Sequence, residues 1–227
     1  MIHFIEPLGD SAAIVVWRQV SDDESALCVQ SLAAALNRQW HPAYEAMTQA
    51  FASLTLHYSP LSLQWHEVRT RIEAALRCGL KVDEHVTPVV EIPVCYDPKF
   101  GLDLSDLSQV HQLPSDEIIR LHTAAEYKVR MIGFSPGFPY LAGLPDVLAT
   151  ARRSSPRLKV HGGSVAIGGR QCGIYPIETP GGWHILGRTP VSLFRPECEP
   201  PCLLTAGDSV RFFPITAQEF AAWGTGP

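Results

Sequence analysis

Residues 159–190, KVHGGSVAIGGRQCGIYPIETPGGWHILGRTP, restrict the possible fold more than any other stretch of the chain. The segment is dense in glycine, and its short apolar runs recur with period two rather than 3.6, the mark of strands. Residues 164–167 and 170–175 are separated only by Gly168 and Gly169, which suits a two-residue hairpin turn that needs positive φ. Such a turn predicts that Ile167 pairs with Arg170, Ala166 with Gln171, Val165 with Cys172 and Ser164 with Gly173. One face then carries Val165, Ile167, Cys172 and Ile174 and reads as core. The other carries Ser164, Ala166, Gln171, Gly173 and Tyr175, where small residues leave room beside hydrogen-bonding side chains. That face is either the floor of a pocket or a sheet surface that meets water.

The Thr179-Pro180-Gly181-Gly182 segment cannot be helical and reads as a loop whose backbone N–H groups are free to cradle an anion. A strand over 183–189 follows, with His184, Leu186 and Arg188 on one face. His184 and Arg188 would lie about 13 Å apart at ~3.3 Å per residue, so they can share a small ligand only if Gly187 marks a bulge.

At 227 residues the chain holds one large domain or two small ones. It has no apolar run long enough to span a membrane and no export-type N-terminus, so a cytoplasmic protein is expected. A net charge of −5 argues against general nucleic-acid binding. Locally, Arg152, Arg153, Arg157, Lys159, His161 and Arg170 form a basic island suited to carboxylate or phosphate groups, or to a solvated loop. The six cysteines are expected to be reduced, and Cys198 and Cys202 have no second pair with zinc-ligand spacing, so no metal site is expected.

In the first half, residues 11–17 form an apolar strand, and a helix capped by Asp22 runs to about Arg38 with Val29, Leu32, Ala33 and Leu36 on one stripe. Strands near 43–48 and 51–58 precede a second amphipathic helix over 61–77, stopped by Gly79, and a further strand near 87–95. That order, β-α-β-β-α-β, is the split arrangement of ferredoxin-like domains. The histidines of this half, His41, His57 and His66, stand isolated and carry no visible chemistry. Beyond Pro93, short helices at 103–110 and 115–122 have a helix-turn-helix spacing, but the second carries two acids and one arginine, which argues against DNA. A strand at 127–132 leads into GFSPGFPYLAGLP at 133–145, whose prolines and aromatics suit a core-covering loop or a groove wall.

These residues carry a family resemblance. GFSPGFPYLAGLP at 133–145, SPR at 155–157, GSVAIGGRQCGIYP at 163–176, TPGGWHILGRTPVSLF at 179–194 and AGDSVRFFPI at 206–215 resemble the B-subunit family of 5-oxoprolinase. That family also includes the sporulation kinase inhibitor KipI and proteins named allophanate hydrolase subunit 1, and it is similar to part of the carboxyltransferase region of urea carboxylase. The resemblance implies an α+β chain with a ferredoxin-like domain at 1–85 and a cyclophilin-like β-barrel domain at 86–227. Fold likeness brings no prolyl isomerase activity with it.

The function it implies is one part of an ATP-dependent 5-oxoprolinase, opening 5-oxo-L-proline to L-glutamate together with C-like and A-like partner proteins of the same complex. The chain has no G-x-x-x-x-G-K-[ST] loop, so ATP is expected to bind wholly or partly elsewhere in the complex. Residue chemistry within the motifs nominates Arg157 and Arg188 for a carboxylate or phosphate, Gly181 and Gly182 for an oxyanion, and Gln171 and Tyr175 for the lactam, with Ser164 a further substrate-binding residue of the pocket face. His184 is the candidate proton carrier and Glu126 the residue that orients a water. Phe134, Phe138, Tyr140 and Leu141 are the expected partner interface. A histidine-kinase inhibitor, or a component of urea carboxylation or allophanate hydrolysis, are the competing readings.

Overall fold

The computed structural model describes residues 2–18, 22–77 and 89–223. The chain divides into two compact units, Met1–Val86 and Thr87–Pro227. In the first, β1 (Ile2–Pro7), β2 (Ala12–Arg18), β3 (Tyr44–Gln49) and β4 (Ser53–Tyr58) form an antiparallel sheet in the order β1-β2-β4-β3. Helices α1 (Asp22–Arg38) and α2 (Trp65–Arg77) share a core with alternate strand residues, Ala13, Val15 and Trp17 from β2 and Leu54, Leu56 and Tyr58 from β4. The helical stripe read from the sequence is the buried one: Val29, Leu32, Ala33 and Leu36. The second helix begins at Trp65 rather than 61, and Leu61 sits 97% exposed in the preceding turn. Gly79, expected to stop α2, and the first residues of the strand expected near 87–95 lie outside the described residues.

The split β-α-β-β-α-β expectation is corrected at its two ends: an unexpected strand, β1, precedes the expected first one, and the expected last one lies elsewhere. The strand after α2, β5 (Val90–Cys95), joins the second unit, pairing in parallel with β13 (Ser209–Ile215). Its expected place beside β2 is taken by β1, paired antiparallel from Ile2–Arg18 to Pro7–Ala13. A hairpin partner five residues away closes that edge at far less loop entropy than a strand after α2 would.

The second unit continues with α3 (Leu104–His111), α4 (Ser115–Ala124), β6 (Glu126–Ile132), β7 (Pro139–Ala142), β8 (Arg157–Val160), β9 (Ser164–Gly168), β10 (Gln171–Ile174), β11 (Thr179–Gly181) and β12 (His184–Arg188). After β13, α5 (Ala217–Ala222) closes the described chain with a capping box between Thr216 and Glu219. Seven strands form a closed barrel, β10-β7-β6-β13-β5-β12-β9, while β8 and β11 make a separate two-stranded ribbon. The 179–182 segment, expected to be a loop, is thus partly strand, with Thr179 opposite Val160 and Gly181 opposite Arg157.

The central hairpin forms with its turn displaced by one residue. Gly168 pairs with Gln171, Ile167 with Cys172, Ala166 with Gly173 and Val165 with Ile174, so the turn is Gly169-Arg170, with Gly169 at φ 65°. Gly168 is needed in the strand instead: a Cβ there would meet the Trp183 ring at 2.8 Å. Because both partners shift together, every side chain keeps its expected face. Val165, Ile167, Cys172 and Ile174 point into the barrel core with Leu141, Leu186 and Phe212.

A small polar cluster centred on His122 is enclosed there. His122 is fully buried, its Nδ1 2.8 Å from the Tyr96 hydroxyl and its Nε2 3.5 Å from Cys172 Sγ, with Phe212 stacked at 4.6 Å. Burial lowers its pKa to about 3 and pushes the Cys172 thiol up, so a neutral imidazole and a neutral thiol satisfy one another.

Candidate functional site

On the outside of the same barrel wall, Ala166 and Gly173 do not floor an open pocket. Phe138 and Trp183 lie over them; a Cβ on Gly173 would meet Phe138 at 2.8 Å and Trp183 at 3.0 Å. The open space begins one layer further out. A cleft of about 190 Å³ is lined by Phe134, Phe138, Tyr140, Tyr175 and Trp183, by Arg152 and Arg153, and by Pro156, Pro180, Gly181 and Gly182. The volume is about six times that of a liquid water, enough for one small ring.

The aromatic wall is built of edge-to-face and tilted ring contacts. Phe138 contacts Tyr140 at 4.9 Å, Tyr175 at 5.2 Å and Trp183 at 5.7 Å between ring centroids, geometries that stabilise beyond area alone. Phe134 stands at the mouth, 62% exposed, with φ 69°, an uncommon conformation for a residue other than glycine. Gly181 is glycine because the Tyr175 hydroxyl occupies the place of its Cβ. Burial raises the Tyr175 phenol, opposed by the backbone N–H of Trp183.

The basic side chains are organised by a residue that sequence reasoning passed over. Asp103 precedes α3 in the N-cap position, yet its carboxylate makes no cap hydrogen bond. It is fully buried and accepts from both arms of Arg157 (2.9 and 2.7 Å), from Arg153 Nη1 (2.8 Å) and from the Ile185 backbone N–H (2.7 Å). Burial alone would raise its carboxyl, but these hydrogen bonds and the two guanidinium charges hold it below the ordinary value. An Asp at a helix start is the common capping residue, and that ordinary role hid this one.

Residues 150–153 are braced on several sides. Thr150 exchanges backbone hydrogen bonds with Gly169 (3.0 and 2.7 Å), and Arg153 N–H donates to Gly182 O (2.8 Å) across the cleft. His111 Nε2 lies 2.7 Å from Thr150 Oγ1, and His184 Nε2 lies 3.0 Å from Ala151 O. Since a carbonyl only accepts, His184 carries a proton on Nε2, and its buried Nδ1 has no partner among the described residues.

The sequence candidates therefore divide. Tyr175, Gly181, Gly182, Phe134, Phe138 and Tyr140 share the cleft. Arg157 directs its fork at Asp103, and His184 faces the backbone of the arginine segment. A register shift does occur between Ile185 and Gly187, but Arg188 donates to Gly162 O (2.8 Å) and lies near Phe100 and Phe220, apart from His184's partner. Ser164 is buried, partly buried Gln171 is not a lining residue, and Glu126 is exposed beside Arg211 at 3.5 Å. Leu141, expected at a partner interface, is a fully buried barrel-core residue, because the period-two alternation of β7 turns it inward between Tyr140 and Ala142. Trp183 and Asp103 were not among the expected site residues, and Arg152 and Arg153 were singled out only as members of the basic island. The basic run at 152–157 is the one sequence signal that pointed to the arginines.

Residues 3–204 match the family described as carboxyltransferase domain, subdomain C and D. Over 229 residues the chain is 40% identical to the B subunit of 5-oxoprolinase from Bacillus subtilis (strain 168), covering 96% of this chain and 95% of that one. Over 133 residues it is 50% identical to the B subunit of 5-oxoprolinase from Haemophilus influenzae, covering 59% and 62%. The crystal structure of TTHA0988 superposes with a TM-score of 0.80 at 33% identity, covering 91% of this chain and 40% of that one, so this chain spans about two fifths of that protein.

Proposed function

The chain belongs to the B-subunit family of 5-oxoprolinase, and on that premise we propose that it is one part of an ATP-dependent 5-oxoprolinase that opens 5-oxo-L-proline to L-glutamate. The observation that carries this reading is the 40% identity to a named B subunit over nearly the whole of both chains. The cleft supports it: an aromatic wall with cationic groups at its rim suits a small flat lactam that bears a carboxylate.

The cleft's lining includes no Asp or Glu, and no cluster of metal-ligating side chains occurs among the described residues. The oxygen donors the lining does supply are the tyrosine hydroxyls of Tyr140 and Tyr175, fewer than the carboxylate-rich set that usually holds a nucleotide's metal ion. In this reading ATP is bound wholly or partly by A-like and C-like partner proteins, and this chain's share is to hold and orient the substrate. A lactam is a poor electrophile, so activation of its oxygen by phosphorylation would have to occur where the chains meet. In this reading Phe134, exposed at the cleft mouth, is the residue a partner covers.

The test is reconstitution. The purified chain should not release glutamate from 5-oxo-L-proline with ATP, and activity should appear when the A-like and C-like partner proteins are added. Turnover by the homogeneous chain alone, or a reconstituted set that stays silent while the chain blocks a histidine kinase's autophosphorylation, would replace this reading.

A further inference from the structure

We propose that Arg152 and Arg153 form an anion subsite at the rim of the aromatic cleft, specific for the carboxylate of a small flat ring, and that Asp103 is its positioning residue. The assignment rests on the reading of the cleft as the place where the lactam binds, and it moves the anion-holding role away from Arg157 and Arg188.

The charge count favours an incoming anion. One buried carboxylate serves two guanidiniums, those of Arg153 and Arg157, and so leaves an excess positive charge beside the cleft. Arg152 adds another: it is exposed, has no acidic partner among the described residues, and lies 5.7 Å from the Trp183 ring centroid. Arg153 keeps donor capacity as well: its side chain is 28% exposed, and Asp103 accepts from its Nη1 alone.

Geometry gives the two arginines different duties. Asp103 holds Arg153 from one side while the Arg153 backbone is tied to Gly182 on the other, so this guanidinium is set in place before any ligand enters. Arg152 rests on the indole face and is free to close over a bound anion. The carboxylate would thus sit between a buttressed and an exposed cation, with its ring against Trp183, Tyr140 and Phe134.

The experiment compares two ligands on the full chain by calorimetric or NMR titration: 5-oxo-L-proline and 2-pyrrolidinone, the same lactam ring without the carboxylate. The acid should bind at least about tenfold more tightly, the scale of a charge-assisted hydrogen bond. Arg152→Met and Arg153→Met should each remove most of that preference while 2-pyrrolidinone binding stays within about twofold. Arg120→Met, an exposed arginine paired with Glu117 on α4, should change neither. Asp103→Asn should lower the acid-to-lactam preference, whereas a merely structural loss would weaken both ligands alike.

Equal affinities for the two ligands, an unchanged preference in either arginine variant, or no binding to the wild-type chain would each overturn the subsite. The two levels separate cleanly. Reconstituted turnover with unchanged KM in Arg152→Met and Arg153→Met would sink the subsite and leave the 5-oxoprolinase reading standing. A silent reconstituted set whose chain still shows the arginine-dependent acid preference would do the reverse.

Discussion

The two faces of the β9–β10 hairpin lie one residue apart in sequence and differ in nearly every physical respect. Inward, Val165, Ile167, Cys172 and Ile174 fill a closed barrel whose enclosed imidazole is satisfied on both nitrogens. Outward, Ala166 and Gly173 are covered by a single aromatic layer, beyond which lie a cleft, an unpaired Arg153 Nε and an arginine without an acidic partner among the described residues. The interior has spent its polar groups and the exterior has kept some in reserve. Such a division is what a binding surface built on a rigid wall requires.

The sharpest way to break this comparison is at Asp103, which gives the outer face a buried group as demanding as any inside. Asp103→Leu should cost about 3–5 kcal/mol, because it strands the Arg157 fork and the Ile185 N–H. Urea denaturation showing a loss under about 1 kcal/mol would mean that the cluster is loosely held. Next come paired substitutions on adjacent residues. Ile167→Ala should cost about 2–5 kcal/mol by leaving a barrel cavity. Ala166→Leu should cost about 1–3 kcal/mol by overpacking against the aromatic layer. A neutral Ala166→Leu would show that the layer yields, as an open pocket floor would.

The interior's own weak point is pH. His122 has a folded pKa of about 3 against an ordinary value of 6.5, so between these values the unfolded chain takes up a proton that the folded chain refuses. The stability involved is fully present above pH 6.5 and is lost on acidification, at about 1.4 kcal/mol per pH unit. Denaturation from about pH 7 down to 5 should show this slope developing below about pH 6 in the wild type and a shallower one, by up to one proton, in His122→Gln; parallel slopes would place the proton uptake elsewhere. The smallest effect on stability belongs to the mouth. Phe134→Ala should change stability by no more than about 0.5 kcal/mol, since the ring is mostly exposed, yet weaken assembly with partner proteins in co-purification. Assembly at wild-type strength would remove Phe134 from the interface.

What the sequence determined by itself was local and periodic. The helical stripe of α1, the strand character of residues 164–175 and the inward set Val165, Ile167, Cys172 and Ile174 all follow from side-chain spacing, which a neighbouring chain segment cannot rewrite. The turn position was not so protected: Gly168 and Gly169 both suit a turn, and the choice fell to Trp183, fifteen residues on, whose ring needs a bare backbone beneath it. Only the tertiary structure decided that β1 rather than β5 completes the first sheet, since both are plausible edges and pairing energy is settled by what else each strand can join. The cleft belongs to the same class of decision. Asp103 stands 50 residues from Arg153 and 82 from Ile185 and looks like an ordinary helix cap, because its role depends on a low-dielectric meeting of distant groups that has no periodicity to read.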